Sequence, residues 1–234
     1  MTRPSNASRP GRRLVPSPGD LDLAGLEIHP LTPDRWDDVA ALFSESGDQK
    51  TCWCMFWRIR SRDWSFANAE EARNGLHRLV DEGRDPAPGL LAYAAGRPVG
   101  WVSIAPRQDY ERLVRSRVRP AIDDRAVWSI VCFVVSRSAR GRGLTNRLLD
   151  AAMDYAIAHG APALEAYPVS VGRDGRVPAA VGYTGLLSTF LAAGFDVVHE
   201  IDSPQATVQR VIVRRDPAEP HVICRVAEVV IGRG

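Results

Sequence analysis

A chain of 234 residues, 45% of them hydrophobic, is long enough to bury one sizeable core and short for two. A net charge of +2, from arginines scattered along the chain with little aromatic interleaving, gives no ground for a nucleic-acid or membrane partner, and no apolar run approaches a membrane span. The cysteines Cys52, Cys54, Cys132 and Cys224 form no evenly spaced framework, and Cys52-Trp53-Cys54 has no second Cys or His pair at zinc spacing, so a reduced, cytoplasmic protein without a metal is expected.

Residues 1–25 are rich in Pro, Ser, Gly and Arg without an apolar centre and read as a disordered tail rather than a secretory signal. Order is expected from Leu26, in a domain over 26–215 followed by an extension over 216–234. "LEIHPL" is a short alternating strand. Thr32-Pro33 then reads as a helix cap and first helical position, with Trp36, Val39, Ala40 and Phe43 on the buried stripe. The stretch from Gly47 to Trp64 has no clear period. A second helix is predicted from a cap at Asn68 to Gly83. Two strands meet at Ala95-Gly96, and a charged connection leads to the apolar run Trp128–Val135. Leu144, Leu148, Leu149, Ala152 and Ala156 share one helical face, ended by Gly160 and Pro162. A short strand over Leu164–Tyr167, a Gly/Pro/Arg loop, a short helix through Phe190 to Gly194, and two closing strands, "FDVVHEI" and "ATVQRVIV", complete an α/β (α+β) domain with a mixed sheet.

The junction "VVSRSARGRGLTNRLLDAA" carries the chemistry. A Gly-x-Gly turn that ends a strand and opens a helix presents unpaired backbone N–H groups at the positive end of the helix dipole, which suits a pyrophosphate. Gly141 and Gly143 allow close approach, and Arg140 and Arg142 can add charge-assisted contacts. Read alone, the same residues also suit a tight turn with solvated arginines.

Arg140-Gly141-Arg142-Gly143-Leu144-Thr145 resembles the acyl-CoA-binding motif of the GNAT superfamily of N-acetyltransferases, Gln/Arg-x-x-Gly-x-Gly/Ala, with Thr at the last position. "FLAAGFDVV" is similar to the family's closing helix-Gly-Phe-strand segment. The resemblance implies a mixed, mostly antiparallel central sheet flanked by helices, and acetyl-CoA as co-substrate. Its implied binding residues are Phe133, Val134 and Val135 on the strand and Arg140, Gly141, Arg142, Gly143, Leu144, Thr145 and Asn146 at the turn. It also implies direct transfer to a primary amine of a small molecule or protein. A homodimer is the assembly to test.

Such transfer needs a base for the amine, an acid for the departing thiolate and a donor for the oxyanion, the last implied to be a backbone N–H near Phe133 or Val134. Glu165 matches a strand position where some members carry a catalytic glutamate; where others carry it on the preceding strand, this chain has about Ser129. Phe190 stands where the family often has its acidic tyrosine, and Tyr183, close by, is the candidate acid. The acceptor pocket is expected from the aromatic stretch 52–64, the connection 107–119 and the loop after Tyr167, with Trp53, Trp57 and Arg107 as its candidate residues, although Trp53, Phe56 and Trp57 equally suit core packing. The alternative, motivated by Phe190, is a non-catalytic acyl-CoA-binding module.

Overall fold

The computed structural model describes residues 23–45, 49–64, 69–171, 177, 182–201 and 208–217. The expected cap at Asn68, the start of the last expected strand and nearly all of both terminal segments lie outside the described residues. The strands are β1 (Glu27–Pro30), β2 (Gly89–Ala94), β3 (Arg97–Pro106), β4 (Trp128–Val135), β5 (Leu164–Ala166), β6 (Asp196–Ile201) and β7 (Arg210–Arg215). The helices are α1 (Trp36–Ser44), α2 (Gln49–Cys52), α3 (Ala69–Asp81), α4 (Glu111–Val114), α5 (Leu144–Ala158) and α6 (Leu187–Ala192). One sheet runs β1-β2-β3-β4-β5-β7-β6, and only the β4–β5 pair is parallel.

The physical causes are local. β2 and β3 join through Ala95 (φ 49°) and Gly96 (φ 69°), both left-handed, the geometry that matches a two-residue hairpin to strand twist. β4 is buried almost throughout because both faces of this central strand are covered, so its sequence is a continuous apolar run. α5 lays Leu144, Leu148, Leu149, Ala152, Met153 and Ala156 on the sheet. It can come that close because β3 has Gly100, where an added Cβ would sit 2.9 Å from a Leu144 methyl. α1 and α3 cover the opposite face with Val39, Phe43 and Leu76 against Trp101. Each such fully buried large side chain contributes roughly 1.5–3 kcal/mol.

Several expectations need correction. Leu23 already packs on the core below α5, three residues before the expected start of order. Thr32 has the extended backbone of a cap, yet its hydroxyl accepts from Arg35 Nη1 (2.5 Å) and caps no backbone N–H; Pro33–Arg35 form a 3-10 turn first. On α1 the buried stripe takes Leu42 in place of Ala40, which is only half-buried. In α6 only Phe190 is buried, and Leu191 faces outwards.

Candidate active site

A bulge shapes the centre of the sheet. Ser103 and Ile104, adjacent on β3, face Cys132 and Ile130 on β4, so Val131 is an extra residue. Val131 and Cys132 therefore point to the same face, towards α1 and α3, while Ile130 and Phe133 point towards α5. Cys132 is fully buried beside Cys54, whose hydrogen bond, together with burial, pushes the Cys132 thiol up, so it packs as an inert group.

β5 accompanies β4 only opposite Trp128, Ser129 and Ile130 and then turns away. A later segment fills the resulting wedge. Phe133 donates its N–H to the Tyr183 carbonyl (2.8 Å), while Val169, beyond β5, donates to Gly185 (3.1 Å) and accepts from Leu187 (2.9 Å). Backbone groups alternate sides along a strand, so with Phe133 aimed into the wedge, Val134 turns back to β3 opposite Trp101, and Val135 faces the wedge side again. Of the two N–H groups expected to meet an oxyanion, Val134 is thus turned away and Phe133 is already partnered.

At the end of β4, Gly141 (φ 70°) and Gly143 (φ 75°) adopt left-handed backbone, and Gly143 precedes the first residue of the 15-residue α5. No atom lies within 4 Å of a Cβ built on either glycine, so it is conformation, not crowding, that favours glycine there. Arg140 Nε donates to the Val135 carbonyl (3.2 Å), which ties the turn to the strand end. Arg140, Arg142 and Asn146 are exposed around the helix N-terminus, Thr145 is half-buried, and Leu144 is core.

Glu165 on β5 stands between Ser129 on β4 and Arg214 on β7, all three in register. Its carboxylate is fully buried, and Oε1 accepts from Arg214 Nε (3.1 Å) and Nη2 (2.7 Å). Arg214 also holds Asp123 through Nη1 (2.5 Å) and Nη2 (3.3 Å). Burial works against the Arg214 charge, and the bonds from Asp123 and Glu165 outweigh it; Asp123 is in turn held below the usual carboxylate range, chiefly by Arg214. Glu165 Oε2 lies 3.4 Å from the Tyr167 hydroxyl and 3.8 Å from Arg107 Nε. Tyr167 is two residues along the chain from Glu165 and shares its face, and its hydroxyl is 2.9 Å from Ser129 Oγ. Burial, then the nearby Glu165 charge, raises the Tyr167 phenol, so it stays protonated.

Tyr167 opens into a cavity of about 580 Å³. Phe56, Trp57, Tyr167 and Tyr183 are its aromatic lining. Arg60, Arg62, Arg112, Arg115, Arg119 and Arg210 surround it, with Glu111 as its acidic member. Trp57 stacks on Tyr167 (centroids 6.2 Å apart, 25° between planes), and Arg112 lies over the Phe56 ring at 3.9 Å. Burial pushes the Tyr183 phenol up to about 12, so it keeps its proton at neutral pH.

The sequence-predicted residues therefore divide. Trp57 and Tyr183 line the cavity. Trp53 does not: it stacks in the core on Trp36 (5.9 Å) and Phe43 (5.2 Å), held there by a left-handed backbone (φ 45°) that turns its ring inwards. Arg107 does not line it either, because its Nη2 donates to the Leu113 and Arg119 carbonyls (3.1 and 2.7 Å) and braces the connection. Glu165 reaches the cavity only through Tyr167. Phe190 is core, edge-on to Phe133 and Phe195, where a hydroxyl would need a buried partner. Arg119 lies at the end of the connection expected to form the pocket, whereas Tyr167 and Arg210 are additional lining residues. The i, i+2 spacing of Glu165 and Tyr167 carried a signal for Tyr167; the arginines stand in segments without a period.

The sequence profile of the acetyltransferase (GNAT) family matches residues 51–178, more than half of the chain. A GNAT-family acetyltransferase structure from Streptococcus agalactiae superposes with a TM-score of 0.50 at 14% identity, covering 86% of this chain and all of that one. A PaiA N-acetyltransferase from Thermoplasma acidophilum, in complex with coenzyme A, aligns with a TM-score of 0.46 at 13% identity over 82% of this chain and 99% of its own. At these identities the likeness is one of fold. No curated protein matches the chain. By its sequence profile, and with a fold in agreement, the chain belongs to the acetyltransferase (GNAT) family.

Proposed function

We propose that the protein moves an acetyl group from acetyl-CoA to an amine by direct transfer. The observation that carries this reading is a juxtaposition: Tyr183 lines the aromatic, arginine-lined cavity and its carbonyl meets Phe133 on β4, two residues before the strand end that Arg140 ties to the glycine turn. Pyrophosphate is held by the backbone from Gly141 to Thr145 with Arg140 and Arg142. The pantetheine arm runs along the wedge edge of Phe133 and Val135, and Phe133 exchanges the Tyr183 carbonyl for the donor. The acceptor enters from the cavity.

The amine must lose a proton and the thiolate must gain one. Tyr183 carries a proton at neutral pH, lines the cavity and belongs to the segment that flanks the β4 edge, so it serves as acid. Glu165 serves the amine through Tyr167: the phenol takes the amine proton as it passes its own to Oε2 (3.4 Å). Tyr167 is then the residue that meets the amine, and Glu165 acts behind it. The Phe133 N–H stabilises the oxyanion.

A second reading, a non-catalytic acyl-CoA-binding module, draws on the Glu165–Arg214 pair and on Glu111 being ion-paired with Arg115 (2.7 Å). Incubation with acetyl-CoA and a panel of small amines and peptides, read by mass spectrometry, separates the two. Acetylated product establishes transfer; an acetyl-CoA-induced rise in melting temperature with no product from any amine establishes the module.

A further inference from the structure

Resting on the acyl-transfer reading, we infer that the acceptor is a small amine that also carries an anionic group, carboxylate or phosphate, held by Arg119 and Arg210.

Among the described residues, the cavity's positive charges outnumber their partners. Arg60 and Arg115 share Glu111 (3.6 and 2.7 Å), and Arg62 faces Asp63 (3.5 Å). Arg112 donates to the Ile59 carbonyl (3.0 Å) and the Ser61 hydroxyl (2.9 Å). Arg119 and Arg210 form no ion pair among the described residues, and Arg119 Nε is buried without a hydrogen bond. Burial weakens the hold of Arg119 on its proton, and the like charge of Arg210 adds to the effect. A partly desolvated cation beside a second cation gains stability when something supplies the counter-charge. A bound anion does so, and guanidinium groups suit carboxylate and phosphate oxygens.

The neighbouring groups give the rest of the ligand. Arg119 sits 5.2 Å from the Trp57 ring, and Trp57 stacks on Tyr167, the hydroxyl that meets the amine. An anion at the arginines thus leaves a flat apolar surface leading to the proton acceptor. A volume of about 580 Å³ is that of a small-molecule site.

Tyramine, tyrosine and O-phosphotyrosine share a ring and an amine and differ in anionic charge. With the full chain and acetyl-CoA, tyrosine and O-phosphotyrosine should exceed tyramine in kcat/KM by about 10-fold or more. Arg119→Gln and Arg210→Gln should each raise KM for the acidic acceptors about 10–100-fold, at least 10-fold more than they raise it for tyramine, and preserve the acetyl-CoA melting shift. Phenyl phosphate, which has no amine, should bind the wild type in calorimetry and bind both variants more weakly, with affinity falling as salt rises. That arm needs no turnover, so phenyl phosphate binding with no acetylation of these three or of any amine in the panel would remove the transfer reading and leave the anion site. Acetylation that favours tyramine, or is indifferent to charge, would remove the anion site and leave transfer. A clear preference for a Glu-rich tripeptide over all three amines would overturn the small-molecule assignment.

Discussion

Replacing Glu165 by Gln tests both the architecture of the centre and its chemistry. The carboxylate is fully buried, Arg214 is only 6% exposed, and two N–H groups of that arginine converge on Oε1. Removing one member of a buried pair costs about 3–5 kcal/mol, because a charge is left without its counterpart. Two features place this case at the lower end: Arg214 keeps Asp123, and the amide oxygen of Gln can still accept one bond. About 3 kcal/mol in a domain of this size lowers the melting temperature by about 6–12 °C. Thermal denaturation followed by circular dichroism measures this. Adding Arg214→Met, which removes the stranded cation, should recover at least half of the loss. A Glu165→Gln midpoint within about 2 °C of wild type would refute the buried pair and return the residue to a solvent-facing strand edge. Turnover is then measured well below both midpoints. It should fall about 10²–10⁴-fold with acetyl-CoA affinity unchanged, and wild-type turnover there would sink the Tyr167–Glu165 relay.

Gly143→Asp should fold, because space is open at its Cβ, at a cost of about 1 kcal/mol for a side chain at positive φ. It should abolish the rise in melting temperature that acetyl-CoA gives the wild type, about 2.7 kcal/mol of stabilisation at a hundred times Kd, and an unchanged rise would displace the pyrophosphate from this turn. Arg140→Ala and Arg142→Ala should each weaken CoA binding by roughly 1–3 kcal/mol, more at low salt than at high, with dephospho-CoA showing whether either reads the 3′-phosphate; salt-independent, wild-type affinity in both would leave them as surface charges. Tyr110, Tyr155 and Tyr183 are all pushed up to about 12, mainly by burial. The folded state therefore holds protons that the unfolded chain releases near pH 10. Their contribution to stability is complete below that pH and declines as pH climbs towards 12, so urea midpoints should fall between pH 9 and 11. Midpoints flat across that range would contradict the burial of these phenols.

The parts of the fold that read clearly from the chain are those where side-chain period and backbone requirement agree. Trp128–Val135 and the Leu144–Ala156 face correspond to β4 and α5, and Ala95-Gly96 to the hairpin turn. The glycine turn was legible for a related reason: positive φ at Gly141 and Gly143 is a backbone demand that residue type records directly. The cavity was legible in outline, since the stretch 52–64 and the connection 107–119 do line it, but Arg119, Arg210 and Tyr167 come from segments far apart in sequence and no local period picks them out. For Trp53 the sequence leaves pocket and core open, and the backbone decides for the core. Trp53 and Trp57, four residues apart in an aperiodic stretch, part company at the left-handed turn of Trp53 and Cys54, which sends one ring to the core and the other to the cavity.

The bond between Phe133 and Tyr183 has a consequence for solubility as well as for catalysis. A central strand that loses its neighbour part-way presents bare backbone donors and acceptors, and a foreign strand can pair with them as readily as a ligand can. Here the chain lays its own carbonyl over that row, so the wedge has a plug made of main chain. Because the plug is a backbone oxygen, the hydrogen bond itself does not depend on the side chain at position 183. Its placement depends instead on Gly185, where φ is 89° and an added Cβ would lie 2.7 Å from the Phe190 ring. A residue with no side chain is thus the guard of the sheet's open flank against intermolecular pairing.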